Sequence, residues 1–207
     1  MSTLDTITPS PVSPLRMTEQ EFVDWAGEEI SAEWVDGEVR LKVAIDDLHE
    51  FLQTAIKASL LALVRRKSLG QVRGDRASMR LPHRPSRREP DVMFIANDNP
   101  ATVTRTLVDG ACDLAVEIVS PDSIDEDYSV KFAEYQTAGI REYWIVDPMR
   151  KAVAAYRLDA GKYVPIAADD EKRLRSTVVD GWWLNAEQLF ADPMPDAIDL
   201  ARSLGVV

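Results

Sequence analysis

The run Leu114-Ala-Val-Glu-Ile-Val119 constrains this chain more than any other segment. Six residues that are nearly all apolar and rich in β-branched side chains read as a central strand covered on both faces. Such strands belong to sheets flanked by helices, so the run alone points to an α/β fold. Its one polar member, Glu117, shares a strand face with Ala115 and Val119. An unpaired carboxylate there costs several kcal/mol, about the desolvation penalty of a buried charge. Glu117 must therefore be ion-paired, protonated, bound to a metal, or close enough to a strand end to meet water.

The surrounding pattern extends the fold. Thr18-x-x-Glu21 is a capping box opening a short helix over 18–29, and 32–43 reads as a hairpin turning at Asp36-Gly37. Asp46 or Asp47 starts a longer helix with apolar residues at helical spacing from Leu48 to Val64, basic residues at its end and Gly70 as its stop. Strands are expected over 71–81, 91–95, 113–119, 142–146 and 152–158. A helix over 125–138, closed by Gly139, completes a βαβ unit. The tail over 176–190 reads as a final strand and short helix packing Trp182 or Trp183. These two and Trp144 could stack on bases, but their places in or beside strands favour the core. The expected organisation is a leader over 1–16 without the apolar stretch of a signal peptide, one domain over 17–195 and a tail over 196–207.

Asp91 repeats the anomaly of Glu117. It follows Pro90 and opens a second apolar strand, and two strands with one carboxylate each near an end can share a divalent cation. With one cysteine and two histidines (His49 and His83), no structural zinc set exists. Cys112 could be a nucleophile, but its apolar neighbourhood suits a packed thiol, and its solitude suits a reducing cytoplasm. Asp127, Lys131 and Tyr135 stand at i, i+4 and i+8, on one helix face. On its own the Asp–Lys pair is an ordinary surface feature.

Charge excludes wholesale coating of nucleic acid, since the formal net charge is -11. It is unevenly spread: nine Lys or Arg and one acid between Arg65 and Arg88 make that segment +8 and the rest -19. Arg73, Arg76, Arg80, Arg84, Arg87 and Arg88 are either a solvated face or a phosphate-contacting patch for DNA. No apolar run is long enough to span a bilayer.

Four segments in order, Glu89-Pro-Asp91-Val, Val116-Glu117-Ile-Val-Ser-Pro121, Asp127-x-x-x-Lys131-x-x-x-Tyr135 and Gly139-Ile-Arg-Glu-Tyr-Trp-Ile-Val-Asp-Pro148, resemble the Uma2 family of restriction endonucleases, within the PD-(D/E)XK nuclease superfamily. Glu33-Trp-Val-Asp-Gly-Glu38 and Val179-Asp-Gly-Trp182 resemble its early hairpin and its tail, so the likeness runs from about 18 to 190. The resemblance implies a restriction-endonuclease-like mixed sheet flanked by helices, with an N-terminal helix and β-hairpin. It implies Mg²⁺ or Mn²⁺ held by Asp91, Glu117 and the main-chain carbonyl of Ile118, with Glu33 as a third acid. Val119 occupies the usual lysine slot, and the resemblance moves that role to Lys131, leaving Asp127 and Tyr135 to position it. Ile124 stands where relatives often carry a basic residue. The implied activity is that of a metal-dependent DNA endonuclease, expected to act as a homodimer facing a two-fold substrate. The competing readings are a catalytically silent protein of this fold that binds DNA or a protein, and a purely structural ion-pair network.

Overall fold

The computed structural model describes residues 14–27, 29–42, 46–74 and 76–206. Most of the expected leader, together with Val43 of the expected hairpin, therefore lies outside the described residues. Thr18 caps α1 (Glu19–Ala26) through the anticipated capping box. β1 (Ala32–Val35) and β2 (Glu38–Leu41) form the hairpin, and Asp36 and Gly37 both take positive φ, as a two-residue turn of matching twist requires. Asp46 caps α2 (Asp47–Lys67).

Ser68, not Gly70, adopts the left-handed conformation that ends α2. Gly70 instead opens β3 (Gly70–Gly74), where an added Cβ would lie 2.1 Å from the Ile95 carbonyl. The expected strand over 71–81 is in fact two, because the chain breaks after Gly74 and resumes as β4 (Ser78–Arg80) in another sheet. β5 (Ser86–Arg88), β6 (Val92–Ala96), β7 (Thr102–Val103), β8 (Leu107–Asp109) and β9 (Leu114–Ile118) follow. A π-helical turn over Glu126–Val130 leads into α3 (Lys131–Ala138), which Gly139 closes in the left-handed conformation. β10 (Glu142–Asp147), β11 (Ala152–Asp159), β12 (Lys162–Pro165), β13 (Leu174–Arg175), β14 (Trp183–Leu184), α4 (Ala186–Leu189) and α5 (Ala197–Ser203) complete the chain.

The central sheet is mixed, in the order β12-β11-β10-β9-β6-β3, and β9 and β10 are its parallel neighbours, joined by the helical crossover. Val116 and Ile118 face a core shared with Leu52, Ile56, Leu60 and Val64 of α2. Ala115 and Val119 face the opposite core with Tyr135 of α3, so Glu117 points toward α3. A second six-stranded sheet, β2-β1-β5-β4-β8-β7, contributes Met79, Leu81 and Val108 to that second core. Trp144 and Trp182 are fully buried with ring centroids 4.8 Å apart, whereas Trp183 is half-buried beneath Arg173. Beyond 195 the chain forms α5, and its Leu200 packs in the α2 core. Among the described residues, no helix is long and apolar enough to cross a membrane.

Candidate active site

Strand register brings the two anomalous acids together. β6 runs antiparallel to β9 with Val92 opposite Val116, and one step further sets Asp91 opposite Glu117. Both carboxylates are buried and line one cavity of about 700 Å³, together with Glu33, Asp127 and Lys131. The Asp91 backbone is fixed from two sides: Gln53 donates to its carbonyl at 2.9 Å, and Gly74 approaches so closely that an added Cβ would lie 2.5 Å from that oxygen. Its side chain accepts from the Ile118 backbone N–H at 2.8 Å, tying Asp91 to the strand of Glu117.

Lys131 is the hub of the site. Its Nζ stands 3.0 Å from Glu117 Oε2, 3.1 Å from Asp127 Oδ1 and 3.7 Å from Glu33 Oε1. Tyr135, one helical turn on, donates to Glu117 Oε1 at 2.7 Å. Ser123 donates to Asp127 at 2.5 Å. The predicted helix face thus converges on the strand acid. The π-helical turn sits immediately before Lys131; such turns recur at functional sites.

Glu33 joins the group in a constrained way. Its Oε1 accepts from the Glu89 backbone N–H at 3.0 Å and its Oε2 from Arg88 at 2.8 Å. Arg88 is fully buried and also pairs with Glu126 and Glu134. It therefore faces no solvent, and the expected phosphate-contacting patch is not one surface. Arg84 pairs with Asp36 and Glu134, Arg80 with Glu19 and Asp109, and Arg87 with Glu19. Arg73 and Arg76 line a separate pocket.

Two side chains at the site carry no sign of their role in the sequence. Lys42, just after β2, donates to the Glu89 carbonyl at 2.7 Å and stands 3.4 Å from Asp91 Oδ1. His49, in the first turn of α2, is 7% exposed and lines the same cavity, with Nε2 3.4 Å from Asp91 Oδ2 and neither ring nitrogen hydrogen-bonded. No local pattern marks either residue, because each reaches the site from a different element. The one available signal is that His49 interrupts an otherwise apolar helical stripe.

Electrostatics separate the carboxyls. Burial pushes Glu117 up to about 8, with the charge of Asp91 adding to it and Lys131 working against it. Burial also opposes the charge of Asp91, but Lys42 and His49 outweigh it and hold the carboxyl at about 2. Glu33 is held well below its ordinary value by Lys131 and Arg88 despite burial. Cys112 is buried, and burial drives its thiol far up, so it is a packed thiol.

Among the described residues, no three His, Cys, Asp or Glu side chains already converge as a cage for an ion. The site suits a cation held otherwise. Glu33 is held by Arg88, and Asp91, Glu117 and Asp127 share Lys42 and Lys131, leaving negative charge that a proton or a divalent cation can neutralise. Mg²⁺ takes one or two carboxylates and keeps several waters, and Asp91 and Glu117 are two carboxylates that line one cavity.

Comparison with known proteins bears on the fold and the family. No curated protein matches the chain. A crystal structure described as a "putative nuclease belonging to DUF820" from Anabaena variabilis aligns with TM-score 0.69 and 17% identity, covering 91% of this chain and 99% of that one. At that identity it speaks for the fold. The family model Uma2, described as "Putative restriction endonuclease", matches residues 19–187. The chain belongs to the Uma2 family.

Proposed function

We propose that this protein is a metal-dependent endonuclease that hydrolyses phosphodiester bonds of DNA. The carrying observation is the position of Lys131, whose buried ammonium bridges Glu117 and Asp127 on the floor of a cavity that also holds Asp91. A fixed cation beside two closely placed strand carboxylates suits a reaction in which negative charge grows on phosphoryl oxygen. Asp91 and Glu117, with the Ile118 carbonyl, would hold Mg²⁺ or Mn²⁺, which when bound supplies Lewis acidity and charge neutralisation at the scissile phosphate. Tyr135 pins one oxygen of Glu117 and leaves the other toward Lys131. Asp127, steadied by Ser123, orients the ammonium from its other side. Lys131 is then placed to donate to a phosphoryl oxygen or to align the attacking water.

The test is cleavage of plasmid and single-stranded circular DNA with Mg²⁺ or Mn²⁺, using EDTA and Asp91→Asn as controls. Metal-dependent cuts lost in Asp91→Asn are expected. Cleavage that persists undiminished in that variant would sink the assignment and leave a binding protein on a nuclease fold.

A further inference from the structure

The cavity that holds the acids changes character from floor to rim. Its floor is charged and recessed, since Asp91, Glu117 and Lys131 are all buried. Its rim is apolar and open to water. Leu41 at the end of β2, Leu48 in the first turn of α2 and Met149 in the turn between β10 and β11 are 64%, 37% and 48% exposed, and all three line this cavity. Among the described residues, seven large apolar side chains are exposed, and three of them meet at this one mouth. Exposed apolar side chains scattered singly are ordinary, but three carried from separate elements to one opening mark a contact surface. Pro121 and Pro148 add to its apolar lining.

We propose that this cavity takes its DNA as an unstacked nucleotide, with the base against Leu41, Leu48 and Met149 and the phosphate drawn down to the acids. Single strands, and duplex segments that fray or loop, are then the substrate class, and the interior of an intact duplex is not. This rests on the nuclease reading of the same site. A nucleotide has the matching two ends, a charged phosphate and a flat base with apolar faces. In a duplex those faces are covered by their neighbours. The outside is then charged backbone and polar groove edge, on which exposed leucine and methionine gain little. Size points the same way, because a cavity of about 700 Å³ encloses a unit of small-molecule dimensions, not a section of duplex. To reach buried acids from a duplex, a nucleotide must leave the stack, a cost that an unpaired strand does not carry. The arginines that would follow a duplex backbone are also engaged elsewhere, since Arg80, Arg84, Arg87 and Arg88 each pair with acids.

Binding is read by fluorescence anisotropy with the Glu117→Gln protein in EDTA, so that it is separated from cleavage. The probes are a short labelled thymidine strand, a strand of equal length and charge built of abasic units, and a hairpin duplex. The thymidine strand should bind about tenfold tighter than the abasic one, the gain from burying roughly 60 Å² of apolar surface, and tighter than the duplex. Leu48→Ser and Met149→Ser, both at exposed positions, should each lower that preference about threefold. Joined with Leu41→Thr they should erase it, whereas Ile198→Ser, an exposed apolar side chain on α5, should leave it intact. Wild-type protein with Mn²⁺ should cut the single strand and leave the hairpin stem whole. Equal binding of the thymidine and abasic strands, a preference that survives the triple substitution, or cuts within the stem as fast as in the single strand would overturn the proposal. Rim substitutions that change the sedimentation coefficient but not the base preference would overturn it too, and assign the rim to a second copy of this chain. A rim-dependent base preference without cleavage by any metal sinks the nuclease reading alone; cleavage without a base preference sinks this inference alone.

Discussion

Lys131 Nζ lies 3.0 Å from Oε2 of Glu117, although the two residues belong to different elements and stand 14 positions apart. The contact places an ammonium where Val119 cannot, and it sets both the charge state and the chemistry expected of the site. Lys131→Ala is expected to lower cleavage about 10²–10³-fold, the usual loss when one transition-state donor is removed. The same change strands Glu117 and Asp127, so urea unfolding at about pH 9, where Glu117 is ionised, should show a loss of about 3–5 kcal/mol.

Stability of the metal-free protein should fall as pH rises from about 5 to 8. Glu117 is raised to about 8, so over that window the folded chain keeps a proton that the unfolded chain has already lost. The slope cannot exceed about 1.4 kcal/mol per pH unit for one group. Asp91 and Glu33 act in the opposite sense: their lowered values contribute stability above their unfolded range, lost as pH falls through it. Denaturant titrations across pH 5–9 should therefore slope downward for wild type and flatten for Glu117→Gln. Mg²⁺ should remove most of the slope, because a cation takes the place of the proton.

Arg88→Met should behave as a folding mutation. Its guanidinium is fully buried among Glu33, Glu126 and Glu134, and removing it leaves these acids uncompensated. A loss of about 3–5 kcal/mol is expected by urea unfolding. Arg84→Ala, whose partners are the exposed Asp36 and, at 3.4 Å, a Glu134 still held by Arg88 and Ser86, should cost no more than about 1 kcal/mol. Equal costs for the two would contradict the burial assignment.

His49→Phe should separate stability from function. Its ring nitrogens make no hydrogen bond, which favours an apolar ring of similar shape, while losing the 3.4 Å contact with the Asp91 carboxylate costs stability; the two effects oppose each other and the melting temperature should change little. Calorimetric Mn²⁺ affinity should nevertheless drop about 10–100-fold, the range for losing a group that orients a metal-binding carboxylate. A variant that loses stability while binding Mn²⁺ normally would make His49 a packing residue.

Much of the site is legible in the sequence because its signals are local. An isolated carboxylate in an apolar strand, an acid after proline and a 4-residue rhythm on a helix can each be read from neighbouring letters, and strand register then joins them. Lys42 and His49 are not legible, since each is a single residue carried to Asp91 by tertiary packing. The second sheet is hidden for another reason. Its strands β4, β5, β7 and β8 are two or three residues long, too short for a period, and Ser86-Arg-Arg88 looks like part of a charged patch. Arg88 shows the same limit, because a run of arginines does not reveal which one turns inward.

The π-helical turn over Glu126–Val130 decides how the site responds to a kind of change that substitution does not mimic. A π turn holds about one residue more than an α turn, so it sets the angular phase of everything after it. Deleting one residue within it would relax the segment to an ordinary α turn and leave Lys131 and Tyr135 facing Glu117, whereas deleting one residue of α3 between them would turn Tyr135 away by about 100°. The contact of Tyr135 with Glu117 therefore depends on where a change of length falls in this helix, with every reactive side chain still present in the sequence.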